Sequence, residues 1–586
     1  MRLKKILSIS LCICFLLCSL VCFTSYSVSG SVQSEDVYWD DLVADDEQPT
    51  EVSSGSGVYE ISNARQLAYF NKNLQNYVCA TIKLTGDIYL SEAYWSANTS
   101  YKFKGLFDGN YHTIYDLTTN GNNGLFATID YGGQVQNLTM RSCDFCNVTG
   151  KAGVICGYLE GASGKEYNFK NIIVKNAYFY YKQNNNNTVQ IGGLAGFSYS
   201  SIIKNCMVYN MYAHAEYTSA WDYPGTTIIG GIVGDCNNTQ ISVCSYESVN
   251  PIYSLATSEK EGNGTAYCGG IVGWLHYANS PSTTKIEKCY AKGTSTILAG
   301  NVTATVNAYA GGIVGKLDYG SVENCFNTSK VEAHAKTVTE AAESIGDYGL
   351  TTTALYNNIY ICSALKKDGG EGDYENVIQD STKQKSYANC YAGGIVGFMS
   401  ADTSVSYCYG AGTVESDGMS KNVYTFATKY YYDDIRDDYD YPIKTFTANI
   451  GCYFKDKIAG YVTAGATTTN CYSSTTFSSG YGNFVTGTRV KVRFTRTVIA
   501  VLNVKCYVYL THSGDMFKIH ARSSDLGTDL GKEFFSYTMS RPITFIANPI
   551  TSTTVADIAT ANSSVWAIDS SLNGGNPIIK DFYWQY

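Results

Sequence analysis

The sequence predicts an all-β chain: a right-handed parallel β-solenoid with three strands per coil and a period of about 40 residues. Three observations carry this. A glycine-rich phrase recurs, most clearly as Gly311-Gly312-Ile313-Val314-Gly315. A cysteine follows it at a held distance, since Gly193/Cys206, Gly231/Cys244 and Gly312/Cys325 are each 13 residues apart. No period of 3.6 runs through the phrase, and so much glycine disfavours a helix.

The copies stand in register. Gly193, Gly231, Gly270, Gly312 and Gly394 are the second glycines of the clear ones, with Cys206, Cys244, Cys289, Cys325 and Cys408 downstream. Adding the weaker copies at Gly153 and Gly460, successive steps are 40, 38, 39, 42, 82 and 66. The step of 82 fits one coil with a long insertion or two coils, one degenerate. In each clear copy an apolar residue (Ile203, Ile241, Ile286, Val322, Val405) lies three before the cysteine. Side chains alternate along a straight strand, so both can face inward only if the chain bends between them. A third short run follows, as in Val331-Glu332-Ala333. One such coil cannot bury its apolar side alone. Stacked at about 4.8 Å it can, with backbone groups paired from coil to coil.

The phrase resembles the GLUG repeat of secreted and surface proteins, mostly bacterial, including the β-solenoid part of IgA-cleaving metallopeptidases. The entry segments Tyr59–Leu67, Ile82–Ile88, Phe103–Gly109, Ile114–Leu117 and Gly124–Phe126 are similar to that family too, as is the exit Trp566–Asp569 with Asn573–Ile578. The resemblance spans roughly 58–486 and 554–586. It implies a non-catalytic repeat scaffold.

Taken in order, residues 1–30 read as a signal peptide: Arg2, Lys4 and Lys5 precede an apolar run from Ile6 to about Phe23 and then small residues. Its loss takes the formal charge from −9 to about −12. That balance argues against nucleic acid or anionic membrane as partners. No later stretch is long and apolar enough to span a bilayer; the nearest, Val498 to Leu510, is broken by Lys505. Residues 31–57 are acidic and Ser-rich and read as a linker. Residues 58–150 hold the N-terminal cap and first coils: Ser62 is placed to cap a helix carrying Leu67, Phe70 and Leu74, a lid for the open end of the stack. The repeats fill 151–486, with inserts at 331–388 and 415–457. Residues 487–553 alternate apolar and polar and read as a small β-rich insert of unassigned role. Residues 554–586 form the closing segment.

The second insert carries the candidate ligand site, Tyr430, Tyr431, Tyr432, Asp437, Asp438 and Tyr439. Tyrosine faces beside carboxylates can stack on sugar rings and accept hydroxyl hydrogen bonds. The competing reading is a solvated loop.

Cys12, Cys14, Cys18 and Cys22 leave with the leader. The repeat cysteines, Cys471 included, would form one column. Parallel Cβ vectors do not easily give the S–S torsion, so buried thiols are expected. Cys143-x-x-Cys146 has no second pair and implies no zinc.

The six histidines, His112, His214, His276, His334, His512 and His520, form no HExxH. There is no GxSxG elbow, P-loop or EF-hand spacing, and no cofactor or metal is expected. The function expected is a secreted or cell-surface, non-enzymatic scaffold: an adhesin or a module binding an extracellular glycan or protein, and a monomer. One alternative is a polysaccharide lyase or glycosidase working through Arg436, Asp437 and Asp438; another is a structural spacer.

Overall fold

The computed structural model describes residues 37–183, 188–219, 225–258, 263–276, 284–303, 305–337, 359–362, 376–378, 387–428, 431–433, 438–440, 443–450, 452–456, 458–473, 490–496, 504–513, 516–523, 536–539, 550–552 and 555–585. The expected leader, 1–30, lies outside them, as does 31–36.

Each repeat sends strands into three stacks. Thr305–Gly311 lies in a seven-stranded sheet, Val314–Leu317 in an eight-stranded one, and Ser321–Glu323, Phe326–Asn327 and Lys330–Thr337 in a larger third. The pairing from repeat to repeat is parallel.

The registers explain the spacing. Gly153, Gly192, Gly230, Gly269, Gly311 and Gly393 pair in succession. Two residues after them Ile155, Leu194, Ile232, Ile271, Ile313 and Ile395 form a buried column. Ile232 N donates to Ile271 O at 3.0 Å, Ile271 N to Ile313 O at 2.9 Å and Ile313 N to Ile395 O at 2.8 Å. Each buried isoleucine contributes about 1.5–3 kcal/mol of apolar transfer.

The second glycine is required by packing. A Cβ on Gly193, Gly231, Gly270 or Gly312 would overlap the carbonyl oxygen of the next second glycine, on Gly231, Gly270, Gly312 and Gly394 respectively. Two weak copies shift in phase. Gly153 occupies the first-glycine column, opposite Gly192, and Gly460 the third, against Gly397.

The bend before the cysteine is a single left-handed residue. Asn205, Val243, Lys288, Asn324, Tyr407 and Asn470 have φ between 50° and 54°. Ile203 and Cys206 are thereby both buried, as are Val322 and Cys325. Asparagine suits this conformation because its short amide bonds locally. Asn171 Nδ2 donates to Asn137 Oδ1 at 2.9 Å and Asn205 Nδ2 to Asn171 Oδ1 at 2.7 Å.

The strands flanking the 82-residue step pair directly: Thr305–Gly311 with Tyr387–Gly393, and Val331–Lys336 with Val414–Met419. Val331 to Thr337 therefore belongs to the stack rather than to the insert. Beyond the stack, Val414–Thr428 pairs antiparallel with Ile443–Ile450. That strand pairs with Val490–Arg496, followed by Val504–Ser513 and Met516–Ser523.

Three expectations are corrected. Residues 37–57 are docked, not a linker: Trp39 is buried, its Nε1 donates to Leu90 O at 3.3 Å, and Thr50–Glu51 pairs with Tyr59 and Glu60. A buried indole outweighs the acidic composition around it. The helix Ala64–Lys72 is capped by Asn63, not Ser62; Asn63 Oδ1 accepts from Gln66 N at 3.0 Å, and Gln66 Oε1 accepts from Ser62 N at 2.8 Å. Its Phe70 meets Phe103, Phe107 and Phe126. The closing segment lies along the side of several coils. Phe582 packs on Tyr290, Trp566 on Phe326 and Tyr409, and Lys288 Nζ sits 2.7 Å from Asp581. Tyr290, Phe326 and Tyr409 stand in one column with Tyr472, and the closing segment packs over it as a second apolar cluster.

Candidate functional site

Of the tyrosine–aspartate candidates, Tyr430 and Asp437 lie outside the described residues, with Arg436. The backbone of Tyr431–Asp433 pairs antiparallel with Asp438–Asp440, which sets Tyr432 opposite Tyr439 and Asp433 opposite Asp438.

A different site emerges where the chain turns at the glycine phrase. Two outward columns face each other across that turn. The first, two residues before the first glycine, runs Lys151, Gln190, Ile228, Tyr267, Tyr309, Tyr391. The second, one residue after the last glycine, runs Tyr158, Phe197, Asp235, Trp274, Lys316, Phe398, Tyr461. First glycines permit the turn: a Cβ on Gly230 would overlap Val233 O, and one on Gly269 would overlap Val272 O. Ile228, Tyr267 and Tyr309 make an apolar cluster of their own, separate from the main core.

Over most of its length the furrow is closed by rings. Tyr267 stacks on Trp274 at 4.8 Å and on Tyr309 at 5.0 Å; Tyr309 stacks on Tyr391 at 5.0 Å, and Phe398 on Tyr461 at 5.2 Å. Trp274 Nε1 donates to Asp318 Oδ2 at 2.7 Å, and Lys316 Nζ pairs with that oxygen at 3.0 Å.

Rings are missing from the second column at two places: Lys316, whose ammonium covers Trp274, Tyr309 and Phe398, and Asp235. Tyr158 stacks on Phe197 at 5.3 Å, but the next residues of the two columns are Asp235 and Ile228. A cavity of about 830 Å³ opens there, lined by Phe197, Asp235, Trp274, His276, Gln190 and Lys151 among others. Asp235 is 2% exposed. Its Oδ1 lies 2.6 Å from His276 Nδ1, and its Oδ2 accepts from Gln190 Nε2 at 2.5 Å. Burial raises the Asp235 carboxyl above its ordinary value, and the His276 bond and charge oppose that rise. The carboxylate orients the imidazole, which leaves Nε2 for a ligand. Lys151 Nζ sits over Tyr158 at 5.0 Å and over Phe197 at 4.9 Å.

Residues 301–332 match the family model of the GLUG motif. That span contains Gly311 to Gly315 and Cys325, so the GLUG segment supplies both the turn of the furrow and the column of thiols. The comparison with curated proteins found no match. Among solved structures, the crystal structure of a Bacteroides ovatus protein described as a putative immunoglobulin A1 protease is similar at 12% identity. The match covers 91% of this chain and 94% of that one, with a TM-score of 0.30. A likeness at that score carries no argument about activity.

Sequence reading passed over the furrow, although a signal was present. The residue after each GLUG-type phrase is aromatic at 158, 197, 274, 398 and 461, aspartate at 235 and lysine at 316. His276 stood only as one of six histidines.

The GLUG cysteines Cys206, Cys244, Cys289, Cys325, Cys408 and Cys471 are buried thiols that form no disulfide. Cys325 Sγ sits 3.2 Å from Glu323 O and accepts from Cys289 N at 3.4 Å. Burial pushes the Cys206, Cys289 and Cys325 thiols well above their ordinary value, which keeps them protonated and unreactive. Cys143 and Cys146 form no disulfide either. Among the described residues no cluster of three or more His, Cys, Asp or Glu is arranged to hold a metal ion.

Proposed function

We propose that this chain is a secreted or cell-surface scaffold that binds an extracellular glycan in the furrow, without turning it over. Each repeat is read as one coil of a right-handed solenoid with three faces, and the molecule as a monomer that crosses no membrane. The charged leader at residues 1–30 supports export, and the acidic balance supports partners other than nucleic acid. One observation carries the binding reading: a buried carboxylate, an imidazole and an amide converge on a cavity between the rings of Phe197 and Trp274. Rings flanking a few converging polar groups are the usual make-up of a small-ligand pocket.

Among the described residues that line the cavity there is a single carboxylate, Asp235. Glycoside hydrolysis takes a pair of them, so binding without cleavage is the reading adopted. A glycan array with the purified chain, repeated with Phe197→Ala, tests it. Retention of a defined glycan that the variant loses is the expected result. Failure to retain any glycan, or retention unchanged in the variant, overturns it.

A further inference from the structure

We infer that the furrow cavity selects carboxylated sugars over neutral ones, with Lys151 holding the carboxylate and the free face of Phe197 carrying the sugar ring. The inference rests on the glycan reading above and adds the chemical class of the ligand.

The argument is one of charge placement. Among the described residues, two ionic side chains besides the histidine line the cavity. Asp235 is turned inward and both its oxygens are taken, Oδ1 by His276 and Oδ2 by Gln190. It has little left to offer a sugar hydroxyl, and its negative charge is compensated where it stands. Lys151 is the opposite case. Its ammonium is steadied by two ring faces, at 5.0 and 4.9 Å, instead of by a hydrogen-bonded carboxylate. A cation on aromatic faces keeps its charge and most of its hydrogen-bonding capacity, so it is held ready for an anion.

The ring platform follows from the register. Tyr158 covers one face of Phe197. On the other side the stack continues with Asp235, which has no ring, so that face borders the cavity. Phe197 and His276 stand 6.3 Å apart at 48°, which leaves the two rings splayed and not stacked. Near Lys151 the rim carries neutral polar groups. Asn122 Oδ1 accepts from Thr149 N at 2.7 Å, and Thr149 and Thr188 add hydroxyls. A sugar carboxylate on Lys151 therefore has hydroxyl donors beside it, and its ring lies where Phe197 is open. A neutral sugar would fill the same volume and leave the ammonium with the distant Asp235 charge but no anion in hydrogen-bond contact.

The test is a matched-pair titration by calorimetry in about 0.15 M salt, where surface charge is already screened. The probes are oligogalacturonate against its methyl ester, and sialyllactose against lactose. The proteins are the unaltered chain and Lys151→Met, which keeps the aliphatic stem on the rings. At least one acidic probe should bind roughly tenfold or more tightly than its neutral partner, the usual scale of one charge-assisted contact. In Lys151→Met that preference should vanish while weak binding of both partners remains. Equal affinity within both pairs, or a preference that survives Lys151→Met, overturns the inference and leaves the glycan reading standing. If neither member of either pair binds, and the array is blank, the glycan reading falls with it.

Discussion

A Cβ placed on Gly312 would overlap the carbonyl oxygen of Gly394, its counterpart one coil on. The same relation links Gly270 with Gly312 and Gly231 with Gly270, so the coil spacing at this column is set by two backbones in contact. Gly312→Ala must push apart two backbone segments that the Ile313 N to Ile395 O hydrogen bond holds together. A loss of about 3 kcal/mol or more is expected in urea unfolding, in the range of severe core substitutions. Gly86→Ala, where the added Cβ meets only Ser62 O at 3.5 Å, serves as the tolerated control. Equal midpoints for the two variants would show that the glycine column does not fix the spacing.

Val243 occupies the left-handed corner with φ 54°, a conformation that a β-branched residue adopts at a cost. Its neighbours in the column are Asn205 and Lys288, and Asn205 already continues an amide ladder from Asn137 and Asn171. Val243→Asn should relieve the corner and extend the ladder, raising stability by about 1 kcal/mol. Thermal unfolding reads the gain; a lowered Tm would mean that the packing of the valine methyls outweighs the strain.

The thiol column predicts a labelling pattern. In native protein at about pH 8, iodoacetamide should modify Cys79, which is exposed, and spare Cys206, Cys244, Cys289, Cys325, Cys408 and Cys471. Cys146 is half-buried beside Asp144, and burial with that neighbour pushes its thiol up to about 11, so it should label slowly. Denaturant should expose the column to full modification. Peptide mapping by mass spectrometry checks each site. Rapid native labelling of Cys325 would contradict the burial.

Trp566 packs on Phe326 at 6.1 Å and Tyr409 at 5.5 Å, while its Nε1 has no partner among the described residues. Trp566→Ala should cost about 3–5 kcal/mol through the cavity it opens. Trp566→Phe keeps most of the ring and removes an unpaired donor, so it should cost less than about 1.5 kcal/mol. If the two substitutions were equally damaging, the indole N–H would be making a bond that matters.

Asp235 gives a pH signature. Its folded-state pKa is raised above 3.8 by burial, against the pull of His276 and the more distant Lys151. A raised carboxyl binds its proton more tightly in the folded chain than in the unfolded one. Its contribution to stability is therefore full below 3.8 and is lost as pH rises through the raised value. Asp235→Asn cannot ionise, so the stability of the variant relative to the unaltered chain should grow as pH rises from about 3 to about 7. Urea midpoints across that range decide it. A difference that shrinks with pH would show that pairing with His276 holds the carboxyl below its ordinary value.

The sequence by itself determined the stacking of the repeats. Glycines at 193, 231, 270, 312 and 394, each followed by a branched or leucine side chain, already imply backbones in contact and one buried column. An apolar residue three before each cysteine already implied a bend, which the left-handed residues at 205, 243, 288, 324, 407 and 470 supply. These features are local and repeated, so periodicity reveals them. Only the tertiary structure decided the site. Asp235 meets Gln190 from the preceding coil and His276 from the next, and no spacing between 190, 235 and 276 marks them as neighbours. Trp39 and the strap from 555 to 585 were misjudged for the same reason, since their composition describes the segment and not the surface it covers. Stacking is a short-range property written in each coil, whereas a cavity is made by residues missing from a column, and it exists only once the columns are assembled.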